Sequence, residues 1–277
     1  MPLPAPPPLG TSMLPPDTYA GQVVVVTGGG AGLGKAMATE FARLGAAVAI
    51  ASRKSEHRES GVLALKALGA KAIGVELDVR DDGAVAATFD QIERELGPAD
   101  VLVNNAAGNF PSQAIKLSAN AWRSVVDIVL NGTFLCSTEF ARRAFERDAP
   151  GAILNIGATY SWTGGPGTAH SAAAKAGVTN LTQSLAVEWA PKGIRVNCLA
   201  PGLFPHDDLP EVLRRRQNPD VDARRIPAGR VGQPHELGWA ATYLCSPFAV
   251  YLTGHTLVAG RWKLAASRPD NARFRAD

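Results

Sequence analysis

The fold is decided by a stretch near the start of the chain, which reads Val23-Val24-Val25-Val26-Thr27-Gly28-Gly29-Gly30-Ala31-Gly32-Leu33-Gly34. Its β-branched half predicts a strand, and the glycines open directly into an amphipathic segment. Glycines let the backbone turn tightly and approach a pyrophosphate, while the helix N-terminus supplies N–H donors. This strand–turn–helix context predicts a dinucleotide site. Its predicted contacts are Thr27, Gly28, Gly30, Gly32, Leu33 and Gly34.

Short β-branched runs alternate with amphipathic segments along the rest of the chain. The predicted strands are Gln22–Thr27, Ala47–Ser52, Ala72–Val79, Val101–Asn105, Ala152–Ile156, Arg195–Leu199 and His255–Val258. The predicted helices include Leu33–Leu44, Asp82–Leu96, Ala121–Phe145, Ala172–Ala190 and Pro234–Cys245. Because the strands are apolar on both faces and helices separate them, we expect one α/β domain. Its architecture is a Rossmann-like, doubly wound parallel sheet of about seven strands with helices on both faces.

The predicted domain spans residues 21–265, between a flexible Pro-rich arm at residues 1–20 and a tail at residues 266–277. Seven prolines and no charged residue occur in the first sixteen positions, which is typical of an extended arm and unlike a secretion or transit signal. A net charge of +3 is too small to indicate nucleic acid or a membrane surface. Cys136, Cys198 and Cys245 lie in apolar segments, and neither they nor the histidines have metal-site spacing. We therefore expect a cytoplasmic protein with buried thiols and no metal.

The end of the second predicted strand bears on the choice of dinucleotide. A carboxylate there would bind the ribose 2′-hydroxyl of NAD, but the chain reads Ala51-Ser52-Arg53-Lys54. Ser52 can hydrogen-bond a 2′-phosphate, and Arg53 and Lys54 can neutralise it. The sequence therefore favours NADP(H), although two ordinary surface cations would give the same pattern.

Residues 204–229 interrupt the alternation with four prolines and two arginine clusters, Arg214-Arg215-Arg216 and Arg224-Arg225. The segment follows a strand end, where ligands bind in such sheets, so it is a candidate substrate lid. A solvated helix with a charged face is the alternative.

Further motifs follow the later strands: Leu77-Asp78-Val79, Asn104-Asn105-Ala106-Ala107-Gly108 and Pro201-Gly202. With the glycine turn, they resemble the short-chain dehydrogenase/reductase family in order and spacing, from about Gly21 to Gly260. The resemblance implies that Asp78 and Val79 border the adenine and that Asn105 and Ala106 lie beside the cofactor. It also implies that Pro201, Gly202, Leu203 and Phe204 lie against the nicotinamide.

The catalytic motif departs from the family pattern. Members that reduce carbonyls use a Tyr-x-x-x-Lys helix and a serine about thirteen residues before the tyrosine. Here Ser171 stands at the tyrosine position, Ala158 at the serine position, and Lys175 is retained. Tyr160 lies just past the fifth predicted strand. Either the acid has moved to Tyr160 or the site is inactive.

The displaced tyrosine is similar to that of one branch of the family, the mitochondrial and peroxisomal 2,4-dienoyl-CoA reductases. The strings that carry the resemblance include the glycine turn through Lys35, Ala51–Lys54, Asn104–Phe110, Asp127–Thr133 and Ser171–Val178. The resemblance implies that Tyr160 and Asn109 hold the thioester oxygen, while Ser171 and Lys175 organise the tyrosine and the cofactor ribose. It further implies that Arg80, Phe110 and Ser118 contact an acyl-CoA and that the protein is a homotetramer.

The implied reaction suits these residues. A dienoyl thioester that accepts hydride at its distal carbon sends negative charge to the thioester oxygen, which then needs two hydrogen-bond donors. Reduction of another acyl-CoA or conjugated carbonyl is the second possibility, and a non-catalytic NADP-binding protein is the third. Tyr160 could instead be a packed aromatic and Asn109 a turn cap. Two departures, Leu203-Phe204-Pro205-His206 and Ala259-Gly260-Arg261, leave the nicotinamide amide contact and the substrate open.

Overall fold

Seven parallel strands form one sheet in the computed structural model, which describes residues 5–206, 208, 223 and 226–260. The strands are β1 (Val23–Thr27), β2 (Ala47–Ser52), β3 (Ala72–Glu76), β4 (Val101–Asn104), β5 (Gly151–Ile156), β6 (Ile194–Pro201) and β7 (Thr256–Ala259). Their order in the sheet is β3-β2-β1-β4-β5-β6-β7. The predicted α/β class and strand number are confirmed. Strands β2 and β3 extend the sheet on one side of β1, and β4 to β7 extend it on the other side. The strand order therefore switches between β1 and β4, and ligands bind at the carboxyl ends of the strands at such a point.

Helices cover both faces of the sheet. They are α1 (Gly32–Arg43), α2 (Ser55–Lys66), α3 (Asp82–Glu95), α4 (Ala119–Val126), α5 (Gly132–Glu146), the short α6 (Tyr160–Thr163), α7 (Ala169–Trp189) and α8 (Pro234–Cys245). Two apolar clusters fill the layers, one between the sheet and α1 with α8, the other between the sheet and α3, α5 and α7. No helix in the described part of the chain is both long enough and apolar enough to cross a membrane.

Two predicted elements differ from the structure for local reasons. Strand β3 ends at Glu76 rather than Val79, because Asp78 accepts a hydrogen bond from the Arg80 N–H and closes a turn. The predicted helix Ala121–Phe145 is two helices joined by a π-helical turn, Asp127–Asn131. In that turn the Asn131 side-chain amide donates to the Asp127 carboxylate at 2.9 Å. This hydrogen bond links the first and last residues of the π-helical turn.

The end of the Pro-rich arm packs on the domain. Tyr19 is fully buried and donates a hydrogen bond to the Thr242 carbonyl on α8, and Leu14 is also buried. The Trp239 indole N–H donates to the Thr11 carbonyl at 3.1 Å. Leu14 and Tyr19 therefore belong to the folded core, although the sequence assigns them to the arm. Most of the predicted lid, including both arginine clusters, and the tail at residues 266–277 lie outside the described residues.

Candidate active site

A cleft of about 590 Å³ opens at the carboxyl ends of the strands. The glycine turn, the ends of β2 and β4 and the loop after β3 form one side of it. Tyr160, Lys175, Pro201 and Gly202 form the other side. The cleft extends from the end of β2 to the start of α6. Dinucleotides bind in clefts of this kind at the carboxyl edge of α/β sheets.

The glycine turn fits a dinucleotide because side chains would fill it. A Cβ atom at Gly34 would lie 2.3 Å from the Gly28 carbonyl oxygen and 2.4 Å from the Asn105 amide nitrogen. A Cβ atom at Gly30 would lie 2.0 Å from the His57 carbonyl oxygen, so Gly30 allows α2 to approach rather than lining the cleft. The lack of side chains at these two positions thus lets the turn pack closely against Asn105 and α2 at the start of α1.

Polar side chains fix this turn to the neighbouring strand. The Asn105 side-chain amide donates to the carbonyls of Thr27 and Gly28 at 3.0 and 3.2 Å. The Thr27 hydroxyl accepts from the backbone N–H groups of Asn105 and Ala106 at 2.9 and 3.0 Å. Asn105 and Thr27 therefore hold the glycine turn against the end of β4. These hydrogen bonds connect the Thr27–Gly34 motif with the Asn104–Gly108 motif.

The cations predicted at the end of β2 lie beside the acidic residue predicted to border the adenine. Ser52, Arg53, Lys54 and Asp78 all line the cleft. The hydrogen bond from Arg80 is the first of the contacts that hold the pKa of the Asp78 carboxyl below its usual range. Arg53 lies 3.8 Å from the same carboxylate. Arg80 is thus engaged with Asp78, and Arg53 remains at the mouth of the cleft.

Arg58 belongs to this corner, although no motif in the sequence predicts a role for it. Its guanidinium donates to the carbonyls of Ser52 and Arg53 at 2.6 and 2.8 Å. It therefore fixes the backbone that presents Ser52 and Arg53, and only the fold brings α2 to this position.

Two residues after β6 cover the start of α1. The Gly32 N–H donates to the Asp208 carboxylate at 2.7 Å. The His206 ring lies close enough that a Cβ atom at Gly32 would be 2.7 Å from it, and both residues line the cleft. A carboxylate therefore lies where the helix N-terminus would otherwise offer its N–H to a phosphate. Leu203 and Phe204 are not among the cleft walls, and Phe204 is buried against Gly232 beside a separate cavity of about 270 Å³.

Tyr160 and Ser171 meet at the centre of the site. Their hydroxyl oxygens are 2.9 Å apart, which is a hydrogen bond between α6 and α7. Burial raises the pKa of the Tyr160 phenol, and the Ser171 hydrogen bond opposes the rise. The phenol is therefore protonated at neutral pH and available as a donor.

Lys175 lies one helical turn beyond Ser171. Its ammonium donates a hydrogen bond to the Ile156 carbonyl at the end of β5. Burial lowers the pKa of Lys175 to about 8, and the neighbouring Cys198 thiol opposes this effect. The lysine is thus a buried cation beside the Tyr160–Ser171 pair, at a position where it can reach a ligand in the cleft.

The residues predicted to contact an acyl-CoA have the following surroundings in the structure. Asn109 is exposed in the loop after β4, and Arg80 pairs with Asp78. Ser118 caps α4 by accepting from the Ala121 N–H at 3.1 Å. The Phe110 ring packs on His170, a contact that sequence reasoning did not find.

The site combines a nucleotide-shaped cleft, a neutral phenol and a buried lysine, which defines a nicotinamide-dependent oxidoreductase of the Rossmann-like class. The family model described as enoyl-(acyl carrier protein) reductase matches residues 28–260. A Bacillus subtilis (strain 168) protein described as a probable 2,4-dienoyl-CoA reductase, (2E)-enoyl-CoA-producing, is 41% identical over 87% of this chain and 96% of its own. The Rattus norvegicus peroxisomal 2,4-dienoyl-CoA reductase, (3E)-enoyl-CoA-producing, is 40% identical over 89% of this chain and 86% of its own.

A solved structure has the same fold. The crystal structure of a short-chain dehydrogenase from Bacillus anthracis superposes with a TM-score of 0.78 and 43% identity, covering 86% of this chain and 95% of that one. The chain belongs to the short-chain dehydrogenase/reductase family, as its motifs predict, and it is similar to the dienoyl-CoA reductases within that family.

Proposed function

We propose that the protein is an NADPH-dependent 2,4-dienoyl-CoA reductase that forms a 3-enoyl-CoA in fatty-acid β-oxidation. The protein is an oxidoreductase that acts on CH–CH groups, as its relatives indicate. The observation that best supports the finer proposal is the hydrogen bond of 2.9 Å between Tyr160 and Ser171, with Lys175 one helical turn away. This pair supplies a protonated hydroxyl that can donate a hydrogen bond, although the usual tyrosine position holds serine.

A nicotinamide held in the cleft would supply the hydride that the distal carbon of the diene accepts. Tyr160 then stabilises the negative charge on the thioester oxygen by donating a hydrogen bond, and the Asn109 amide is the proposed second donor. An oxyanion donor of this kind contributes about 3–4 kcal/mol to the transition state. A phenol whose pKa is raised by burial keeps its proton, so Tyr160 acts as a hydrogen-bond donor, and solvent water supplies the proton that the α-carbon takes.

Ser171 and Lys175 orient the groups that react. Ser171 fixes the Tyr160 hydroxyl, and Lys175 holds the ribose of the cofactor from the floor of the cleft. In this role Lys175 exchanges its present acceptor, the Ile156 carbonyl, for ribose hydroxyls or shares its N–H donors between them.

The choice of NADPH rests on the end of β2. Ser52, Arg53 and Lys54 line the cleft at the position where a carboxylate would read the ribose 2′-hydroxyl of NAD. The side chain of Arg53 is 55% exposed and lies 3.8 Å from Asp78, so a 2′-phosphate can compete for it.

The test is turnover of a short 2,4-dienoyl-CoA with NADPH, followed by loss of the conjugated chromophore and identification of the product. A 3-enoyl-CoA is expected, since the α-carbon receives the proton. A 2-enoyl-CoA, the product in the name of the Bacillus subtilis relative, would require protonation at the γ-carbon and would overturn that step. No turnover with NADPH tightly bound would contradict the assignment and favour another conjugated carbonyl.

Two further properties are proposed, the first on family grounds and the second as the expectation from the sequence. The protein works as a homotetramer, and its location is the cytoplasm. Sedimentation of the purified protein tests the first property, and fractionation of the source cells tests the second.

A further inference from the structure

His170 is a buried polar residue beside the catalytic pair that the proposed mechanism does not use. It immediately precedes Ser171 on α7 and is fully buried. Within the described part of the chain, neither of its ring nitrogens has a hydrogen-bond partner. Burial without partners is unfavourable for a group that water would otherwise solvate, so such atoms are rare in folded proteins and call for an explanation.

The ring is covered by a residue of the neighbouring loop. Phe110 lies edge-on to His170, with ring centroids 4.7 Å apart and an interplanar angle of 80°. The same loop is tied to the segment before α7, because the Ser112 N–H donates to the Gly167 carbonyl at 3.0 Å. Phe110 itself is 38% exposed. The fully buried imidazole thus has a partly exposed ring as one of its neighbours.

The position of His170 separates it from the cofactor. It is not among the walls of the cleft, whereas Tyr160 is. His170 adjoins the Tyr160–Ser171 pair along α7 and contacts Phe110, one of the residues proposed to meet the acyl-CoA. An acyl-CoA carries carbonyl oxygens in its thioester and pantetheine amides, and an imidazole has at least one N–H to donate to such an oxygen.

We propose that His170 is a substrate-binding residue whose imidazole donates a hydrogen bond to a carbonyl oxygen of the acyl-CoA once Phe110 has moved aside. The inference rests on the proposed function. A phenyl ring at this position would make the free protein more stable, because it has no buried nitrogens without partners. A histidine is explained if the acyl-CoA brings the hydrogen-bond partner of its ring N–H.

The test compares His170→Phe with His170→Gln, using calorimetric binding of a 3-enoyl-CoA, direct NADPH titration and thermal unfolding. His170→Phe keeps a planar ring against Phe110 but removes both nitrogens. We expect its acyl-CoA Kd to rise roughly tenfold, the scale of one lost hydrogen bond. NADPH affinity should stay unchanged and Tm should not fall, since the unsatisfied nitrogens are gone. His170→Gln keeps a donor and should bind acyl-CoA more tightly than His170→Phe.

The outcomes separate this inference from the proposed reaction. Wild-type acyl-CoA affinity in His170→Phe would overturn the inference, whatever the wild type turns over. Loss of acyl-CoA binding in that variant would support the inference even if the wild type failed to reduce the dienoyl-CoA. A wild type that binds no acyl-CoA would overturn both. If His170→Phe does not fold, His170→Leu takes its place with the same expectations.

Discussion

Replacing Lys175 by methionine should stabilise the protein at pH 7 while it abolishes turnover. Burial lowers the pKa of this lysine from 10.5 to about 8. Each pKa unit corresponds to about 1.4 kcal/mol, so keeping the buried lysine charged costs about 3 kcal/mol at neutral pH. The substitution also removes the hydrogen bond to the Ile156 carbonyl, worth about 1 kcal/mol. The free energy of unfolding should therefore rise by about 2 kcal/mol.

The gain should depend on pH in a defined direction. Between pH 8 and 10.5 the unfolded chain holds the proton on Lys175 and the folded protein does not, so wild-type stability rises with pH relative to the variant. The cost of the lysine should fall to about 1 kcal/mol at pH 10, and the advantage of Lys175→Met should disappear there.

Urea unfolding at pH 7 and pH 10, at one protein concentration, measures both effects. The matched control is Lys71→Met, which removes a lysine from an exposed position and should change stability little at either pH. A Lys175→Met variant that is less stable than the wild type at pH 7, or whose difference is independent of pH, would refute this reasoning.

Three further predictions concern the cofactor corner and the core beneath it. Arg53→Ala should weaken NADPH binding roughly tenfold and leave NADH binding nearly unchanged, because the guanidinium would face the 2′-phosphate; fluorescence titration with each cofactor measures this. Asp208→Asn should tighten NADPH binding roughly two- to fivefold in the same assay. The substitution removes the negative charge of the carboxylate that accepts from the Gly32 N–H. Asn155→Ala should lower the free energy of unfolding by about 2–4 kcal/mol in urea, since this buried amide bonds both Asn104 and Thr182.

Each of these predictions has a contrary outcome. Equal losses of NADPH and NADH affinity in Arg53→Ala would mean that the arginine shapes the site rather than reading a phosphate. Weaker NADPH binding in Asp208→Asn would show that Asp208 supports the bound cofactor. An Asn155→Ala variant as stable as the wild type would mean that its partners find other hydrogen bonds.

The parts of the fold that local pattern determines could be predicted. Strand β1 is a run of valines that ends in glycines, and this pattern gives both the strand and the turn without knowledge of neighbours. The end of β3 could not be placed, because the Asp78 turn depends on one side chain contacting its own backbone. The π-helical turn at Asp127–Asn131 could not be predicted either, since its apolar residues continue the period of the flanking helices.

The residues of the candidate site also differ in whether a local motif predicts them. Tyr160, Ser171 and Lys175 could be singled out because a known motif and its displacement lie in one segment of chain, and the structure brings Tyr160 and Ser171 into contact. Asp208 could not, because it reaches Gly32 from a segment distant in sequence. Arg58 could not either, because its contact with the end of β2 depends on how α2 packs. The lone polar nitrogens of His170 are a property of packing, which no spacing in the sequence reports.

The displaced acid is tested most directly by Tyr160→Phe in a single turnover of preformed enzyme and NADPH with a short 2,4-dienoyl-CoA. The account predicts that NADPH oxidation slows at least a hundredfold, the usual scale for one oxyanion donor, while the NADPH Kd is unchanged. A Tyr160→Phe variant that reduces the substrate at the wild-type rate would contradict it.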